Sequence, residues 1–331
     1  MEDISGTPFA QHMRERVLRP IGMGDADYLR TDGMADALAS GYHWMGKRFG
    51  PVTDYDMTLL APGAVRSSID DMVRYAEWLL ASGATGRDQV LATRTRHEMM
   101  SAQFSVDARL PSAMGLAFFL DRIGTHRVCG HDGNVPGFAS ALLVAPDDGV
   151  GTIVLTNTSS FIGAHLLAAA CLRAALEGTD PGAQIGSEVE PRPHLWPELV
   201  GAYAPLPGFL TNLRSWQLIG GEAEVFVRNR RLLVRALSPL PLLRKGVELH
   251  AVDDADPYLF AAEVEGLVVP VAFGTDDAGR VEHLAIGAPA NVTLHRRPRW
   301  RSSRRRLATA AAAGGVAGAL AAARAVRRVT S

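Results

Sequence analysis

The chain has 331 residues, 47% hydrophobic and 21% charged, which is enough to bury a full core and excludes a disordered polymer; the length fits one large domain and a smaller one. Its net charge is −1, yet residues 1 to 282 carry 24 basic against 35 acidic side chains, or −11, while all ten later charges are arginines. Only Cys129 and Cys171 occur, which rules out a disulfide framework or a cysteine-rich metal site and leaves the redox compartment open.

Met1 is followed at once by acidic residues and a helix start, so no export signal is visible. Thr7-Pro8 places a capping hydroxyl before a first-turn proline, and Phe9, Met13 and Val17 recur at helical spacing until Pro20, where the helix is expected to end. From Tyr28 to Gly63 the chain is rich in Gly, Asp and Pro and reads as a long connection with short strands. Tyr42, Trp44 and Tyr55 in this region either line a cleft or pack the loop onto its own domain. Ser68 and Asp71 form a capping-box-like start for a helix with Met72, Tyr75, Ala76 and Leu79 on one face, closed at Gly83.

A short helix over 92–100 precedes strand-like runs at 127–129, 140–145 and 152–156. Asp147-Asp148-Gly149 makes the last two an antiparallel hairpin, since a parallel crossover needs far more chain. Phe161 to Leu176 then repeats apolar residues around a helix ending at Gly178. Strands covered by a helix predict α+β packing. Residues 178–197 read as a linker, and the alternating runs from Glu224 to Ile286 predict a small all-β sandwich or barrel over 198–296.

The stretch Gly130-His131-Asp132-Gly133-Asn134-Val135-Pro136-Gly137-Phe138 carries the sharpest chemical signal. On the residues alone it reads either as a glycine-rich turn with an exposed histidine or as backbone held close to a ligand with an imidazole aimed at it. Cys129, two residues before His131, shares its strand face, either as a Cys/His pair or as a small buried residue. His126, His165 and the acids around Asp147 lack metal-ligand spacing, so no metal is assigned.

This stretch resembles the third active-site motif, Lys-Thr-Gly or His-x-Gly, of the penicillin-recognising serine hydrolases, which include class C β-lactamases and D-alanyl-D-alanine carboxypeptidases. Five other segments match in order: Ile4-Ser5-Gly6-Thr7-Pro8-Phe9, Leu18-Arg19-Pro20-Ile21-Gly22-Met23, Ala61 to Met72, Met114-Gly115-Leu116-Ala117-Phe118, and Ile153-Val154-Leu155-Thr156-Asn157. The resemblance covers about residues 1–176 and implies a partial β-lactamase/transpeptidase-like antiparallel sheet with covering helices over 1–177, followed by an accessory all-β domain. It implies that His131, with Asp132 and Gly133 beside it, binds a substrate carboxylate and tunes a proton relay, while nearby backbone N–H groups serve an oxyanion site. The substrate would be a small molecule or peptide with a β-lactam, ester or D-amino-acid bond. The chemistry needs no cofactor.

The family's nucleophilic serine has a lysine one helical turn later. The two lysines here, Lys47 and Lys245, are preceded three residues earlier by Trp44 and Leu242, so no Ser-x-x-Lys exists within these residues. None of the six tyrosines begins a Tyr-x-Asn. Both motifs precede the opening helix in the family, which implies an N-terminal truncation and a fragment inactive alone. The alternative is a non-catalytic binding or scaffold protein that keeps the pocket wall.

The basic tail at 297–331 begins within an Arg296–Arg306 stretch holding seven arginines, followed by 17 uncharged residues from Leu307 to Ala323. At about 1.5 Å per residue this run falls short of a bilayer core of about 30 Å. It reads as a mobile Ala/Arg helix or disordered tail, or as a membrane contact whose charge asymmetry would put the body on the cytoplasmic side, opposite the family's substrates; family and tail together suggest the cell envelope or a membrane. With Trp300 as its one aromatic, no nucleic-acid partner is expected.

Overall fold

The computed structural model describes residues 1–53, 55–81, 90–177, 189–206, 222–236, 241–264, 266–287 and 291–298. The tail beyond 298 and most of the 178–197 linker lie outside these residues, as does the Gly83 helix end. Contacts divide the chain into two units. The first draws on residues within Met1–Ser105, Pro111–Gln184 and Glu265–Leu267. The second draws on Val106–Leu110, Ile185–Val264 and the residues from Val268 onward.

The first unit opens on a short helix, Glu2–Ser5, and a longer helical stretch from Phe9 to Ile21. One expectation fails here. Thr7 does not cap: its hydroxyl donates to the Ser5 carbonyl, and Pro8 takes the cap position. The stretch ends one residue past Pro20, as expected, after Arg14–Leu18 widens into a π-helical turn just ahead of it. That shifted register accommodates the missing N–H, and Gly22 in the left-handed region closes the stretch one residue after Ile21.

Two strands, β1 (Tyr42–Trp44) and β2 (Phe49–Pro51), make a small hairpin in the long connection. The helix Ile69–Leu80 starts as the sequence predicts, with the Asp71 N–H donating to the Ser68 hydroxyl at 3.2 Å. A five-stranded sheet follows: β3 (Ala113–Met114), β4 (Phe119–Ile123), β5 (His126–Val135), β6 (Phe138–Ala145) and β7 (Val150–Thr156), antiparallel in chain order. Pleat alternation separates its faces. Leu120, Cys129, Leu142 and Val144 pack with Leu18, Ile21, Trp78 and Leu79 on one side. Val128, Ala141, Leu143 and Ala145 pack on the other against Ala164, Ala168 and Leu172 of the helix Phe161–Glu177. The short strands β3 and β4 were not predicted, since neither shows a clear alternation.

The second unit is a closed barrel in the order β10-β11-β12-β13-β14-β15-β8-β9. Its strands are β8 (Gly201–Ala204), β9 (Ala223–Arg228), β10 (Arg231–Ala236), β11 (Val247–Ala251), β12 (Leu259–Val264), β13 (Leu267–Thr275), β14 (Val281–Ile286) and β15 (Val292–Arg297). Alternate residues fill the interior, with Tyr203, Phe260, Phe273, Leu284 and Leu294 all buried. Of the two closures left open by the sequence, the barrel is the one formed. Among the described residues, closure leaves these eight strands without a free edge.

Candidate functional site

His131 lies on β5 opposite Leu142, and Asp132 opposite Ala141, so the two side chains leave the sheet on opposite faces. The reading of this stretch as a turn is corrected: residues 130–135 are strand, and only Pro136-Gly137 turns, with Gly137 at φ 85°. The other glycines permit close strand approach. A Cβ on Gly130 would sit 2.1 Å from the Leu142 carbonyl oxygen, and one on Gly133 would sit 2.4 Å from the Ser140 hydroxyl.

The His131 imidazole is exposed and stacks on Phe119 with ring centroids 5.1 Å apart at 21°. Beyond Gly130 the ladder to β4 ends, while the ladder to β6 runs on to Val135↔Phe138. Among the described residues, Asp132 to Val135 are therefore laddered on the β6 side alone. The turn below is clamped from several directions. Gly137 N–H donates to the Ser159 hydroxyl at 2.8 Å, the Tyr55 hydroxyl donates to the Pro136 carbonyl at 3.1 Å, and Gly41 packs against Phe138. Tyr55 thus secures the loop rather than presenting its hydroxyl to a cleft. Trp44, by contrast, stays 58% exposed at the hairpin tip.

Asp132 has a partner that its sequence position did not reveal. Its carboxylate meets His165 Nδ1 of the 161–177 helix at 3.0 Å, and its side chain is 5% exposed. Asp121 of β4 faces the same buried region, and burial pushes its carboxyl pKa up against the opposing pull of the Arg122 N–H and the His165 charge. For His165, burial alone would lower the pKa; the Asp132 hydrogen bond and the charges of Asp132 and Asp121 outweigh it and the pKa is raised. A raised histidine pKa stabilises the fold below the ordinary value of about 6.5, and the gain is lost as pH rises through the raised value. Thermal melts of the parent and a His165→Gln variant across this range should therefore diverge most at acid pH, by on the order of 1 kcal/mol beyond any constant offset. A pH-independent difference would contradict the pairing.

Cys129 is fully buried beside Leu120 and Val144, and burial pushes its thiol up to about 12. It is a core residue, not half of a Cys/His pair. His126 meets Asp148 at 2.8 Å across the β6–β7 turn end of the sheet. Among the described residues, no group of three or more His, Cys, Asp or Glu side chains is placed to hold a metal.

The sequence model of the Beta-lactamase family matches residues 1–176, more than half of the chain. The chain belongs to the beta-lactamase family. Among its relatives is the human beta-lactamase-like 1 protein, 27% identical over 246 residues, a match that covers 70% of this chain but 44% of the relative. Among solved structures, SurE aligns with TM-score 0.56 at 22% identity, covering 89% of this chain and 65% of that one. An octameric penicillin-binding protein homologue from Pyrococcus abyssi aligns with TM-score 0.49 at 19% identity over 86% of this chain and 59% of its own. The fold is that of the beta-lactamase-like serine hydrolases, a family that acts on small-molecule or peptide substrates. The chain spans less than two thirds of the length of each of these proteins.

Proposed function

We propose that this chain supplies the third-motif wall of an acyl-serine hydrolase site acting on a β-lactam, ester or D-amino-acid peptide bond. The observation that carries the reading is His131 exposed on β5 beside a stretch laddered on one side. A strand edge of that kind supplies N–H and C=O groups to the backbone of an extended substrate. The imidazole then donates to a substrate carboxylate, and Gly133 lets the ligand approach the strand closely. Asp132 acts from behind: its pair with His165 anchors β5 to the covering helix, so its contribution is to hold His131 in place.

The nucleophile is the part this reading places elsewhere. No Ser-x-x-Lys or Tyr-x-Asn occurs in these 331 residues, and the human relative is more than twice the length matched. We infer that both motifs lie in sequence preceding residue 1. The likeness to SurE, a structure of which has been determined with D-Leu, is consistent with a D-amino-acid substrate.

The test is to express the protein with its in-frame upstream sequence and treat it with a fluorophosphonate. An adduct on the serine of a Ser-x-x-Lys is expected, with His131→Ala lowering acylation by on the order of 10²-fold. An upstream frame closed by a stop codon, or a His131→Ala variant acylated at the parental rate, would count against the proposal.

A further inference from the structure

We propose that the tip of the β1–β2 hairpin is an interfacial anchor that seats on an anionic lipid surface. Trp44, Met45 and Phe49 project there at 58%, 58% and 57% exposure. Trp44 pairs directly with Phe49 across the ladder, and their rings meet edge-on at 5.1 Å. Met45 lies on the other face of the hairpin with its thioether against Gly50, and the Met45 N–H donates to the Arg48 carbonyl at 2.9 Å to close the turn over Gly46-Lys47.

The apolar tip is accompanied by His43, Lys47 and Arg48, all exposed, and no acidic residue occurs between Asp36 and Asp54. In a body carrying −11 over residues 1–282, this is a local cationic island. Charge complementarity therefore favours an anionic partner. Shape favours a lipid one. A two-residue turn flanked by exposed Trp44, Met45 and Phe49 is a protruding tip, and a headgroup layer deforms around such a wedge where a peptide would need a groove. Tryptophan settles at headgroup depth, and cations within a Debye length add attraction, so one short segment carries both signals needed for stable surface binding.

The hairpin is also built to bear the contact. Its base is tied to the main sheet through Tyr42 N–H to the Asn157 carbonyl at 2.9 Å and Asn157 Nδ2 to the Ser40 carbonyl at 3.0 Å. Val52 N–H closes onto the Gly41 carbonyl at 2.8 Å. The base is held while the tip stands in solvent.

The experiment is co-sedimentation of the full chain with vesicles of phosphatidylcholine, alone or with a minority of phosphatidylglycerol. Parent is compared with the double variants Trp44→Ser/Phe49→Ser and Lys47→Glu/Arg48→Glu. All four positions are exposed, so the fold should be unaffected. The arginine-rich tail is common to all three proteins, so differences belong to the hairpin. Binding to the anionic vesicles is expected to fall at least tenfold in each double variant. Chain-brominated lipid should quench a component of emission that is absent in Trp44→Phe. Equal binding by parent and both variants, without Trp44-dependent quenching, would overturn the proposal. So would equal binding to neutral vesicles, or a concentration-dependent oligomer lost in Trp44→Ser/Phe49→Ser, which would make the tip a contact between copies.

Discussion

Alanine at Gly130 should destabilise the first unit by roughly 3–5 kcal/mol, among the largest effects of any single methyl group added to this protein. The added Cβ would meet the Leu142 carbonyl oxygen at 2.1 Å and the Leu143 side chain at 2.7 Å. Neither clash can relax cheaply, because Gly130 is laddered on both sides, to Phe119 of β4 and Leu143 of β6. Moving it would break hydrogen bonds in the strand that carries His131. Gly24→Ala is the control, since nothing lies within 4 Å of the Cβ it would add. Urea unfolding should show the large loss for Gly130→Ala and a change within about 0.5 kcal/mol for the control. A Gly130→Ala variant as stable as the parent would mean the strand approach drawn here is wrong.

Phe273→Ala should cost a similar amount, about 3–5 kcal/mol, but in the barrel. Phe273 is fully buried and meets Tyr203 at 6.0 Å and Phe260 at 5.5 Å, both edge-on. Removing the ring leaves a cavity between these two partners in a closed cylinder that has little freedom to collapse. Hydrogen exchange resolves the effect by position. Amides of β8 to β15 are expected to lose protection, and unchanged protection there would show that the barrel is not packed around this cluster.

The sequence carried much of this architecture because its signals were local. Ser68 and Asp71 announce the 69–80 helix through the cap they form, and Asp147-Asp148-Gly149 announces the β6–β7 hairpin, with Gly149 at φ 69°. What escaped was non-local. The Asp132–His165 pair joins residues 33 apart across a sheet and its covering helix, and no spacing rule brings them together. Strand β8, separated by more than eighty residues from β15, pairs with it to help close the barrel. The glycines around His131 read as a turn because glycine has two uses, and only the neighbouring strand decides between left-handed backbone and close approach.

The site shows the same division. His131 was singled out by its setting among glycines and by family resemblance, and the fold places it on an exposed strand face. Gly133 stands beside it on the same strand. Asp132, one residue on, belongs to the opposite face by the pleat alone, a separation that was available once residues 130–135 were recognised as strand. In the proposed reading, its pairing with His165 makes it an anchor of the strand.

We propose that these 331 residues hold the wall of a hydrolase site whose nucleophile lies outside them. The most direct measurement is the intact mass of the purified chain after incubation with a fluorophosphonate or a fluorescent β-lactam, followed by peptide mapping. An unchanged mass is expected. A stoichiometric adduct on one serine of this chain would contradict it and locate a nucleophile that lies outside any Ser-x-x-Lys.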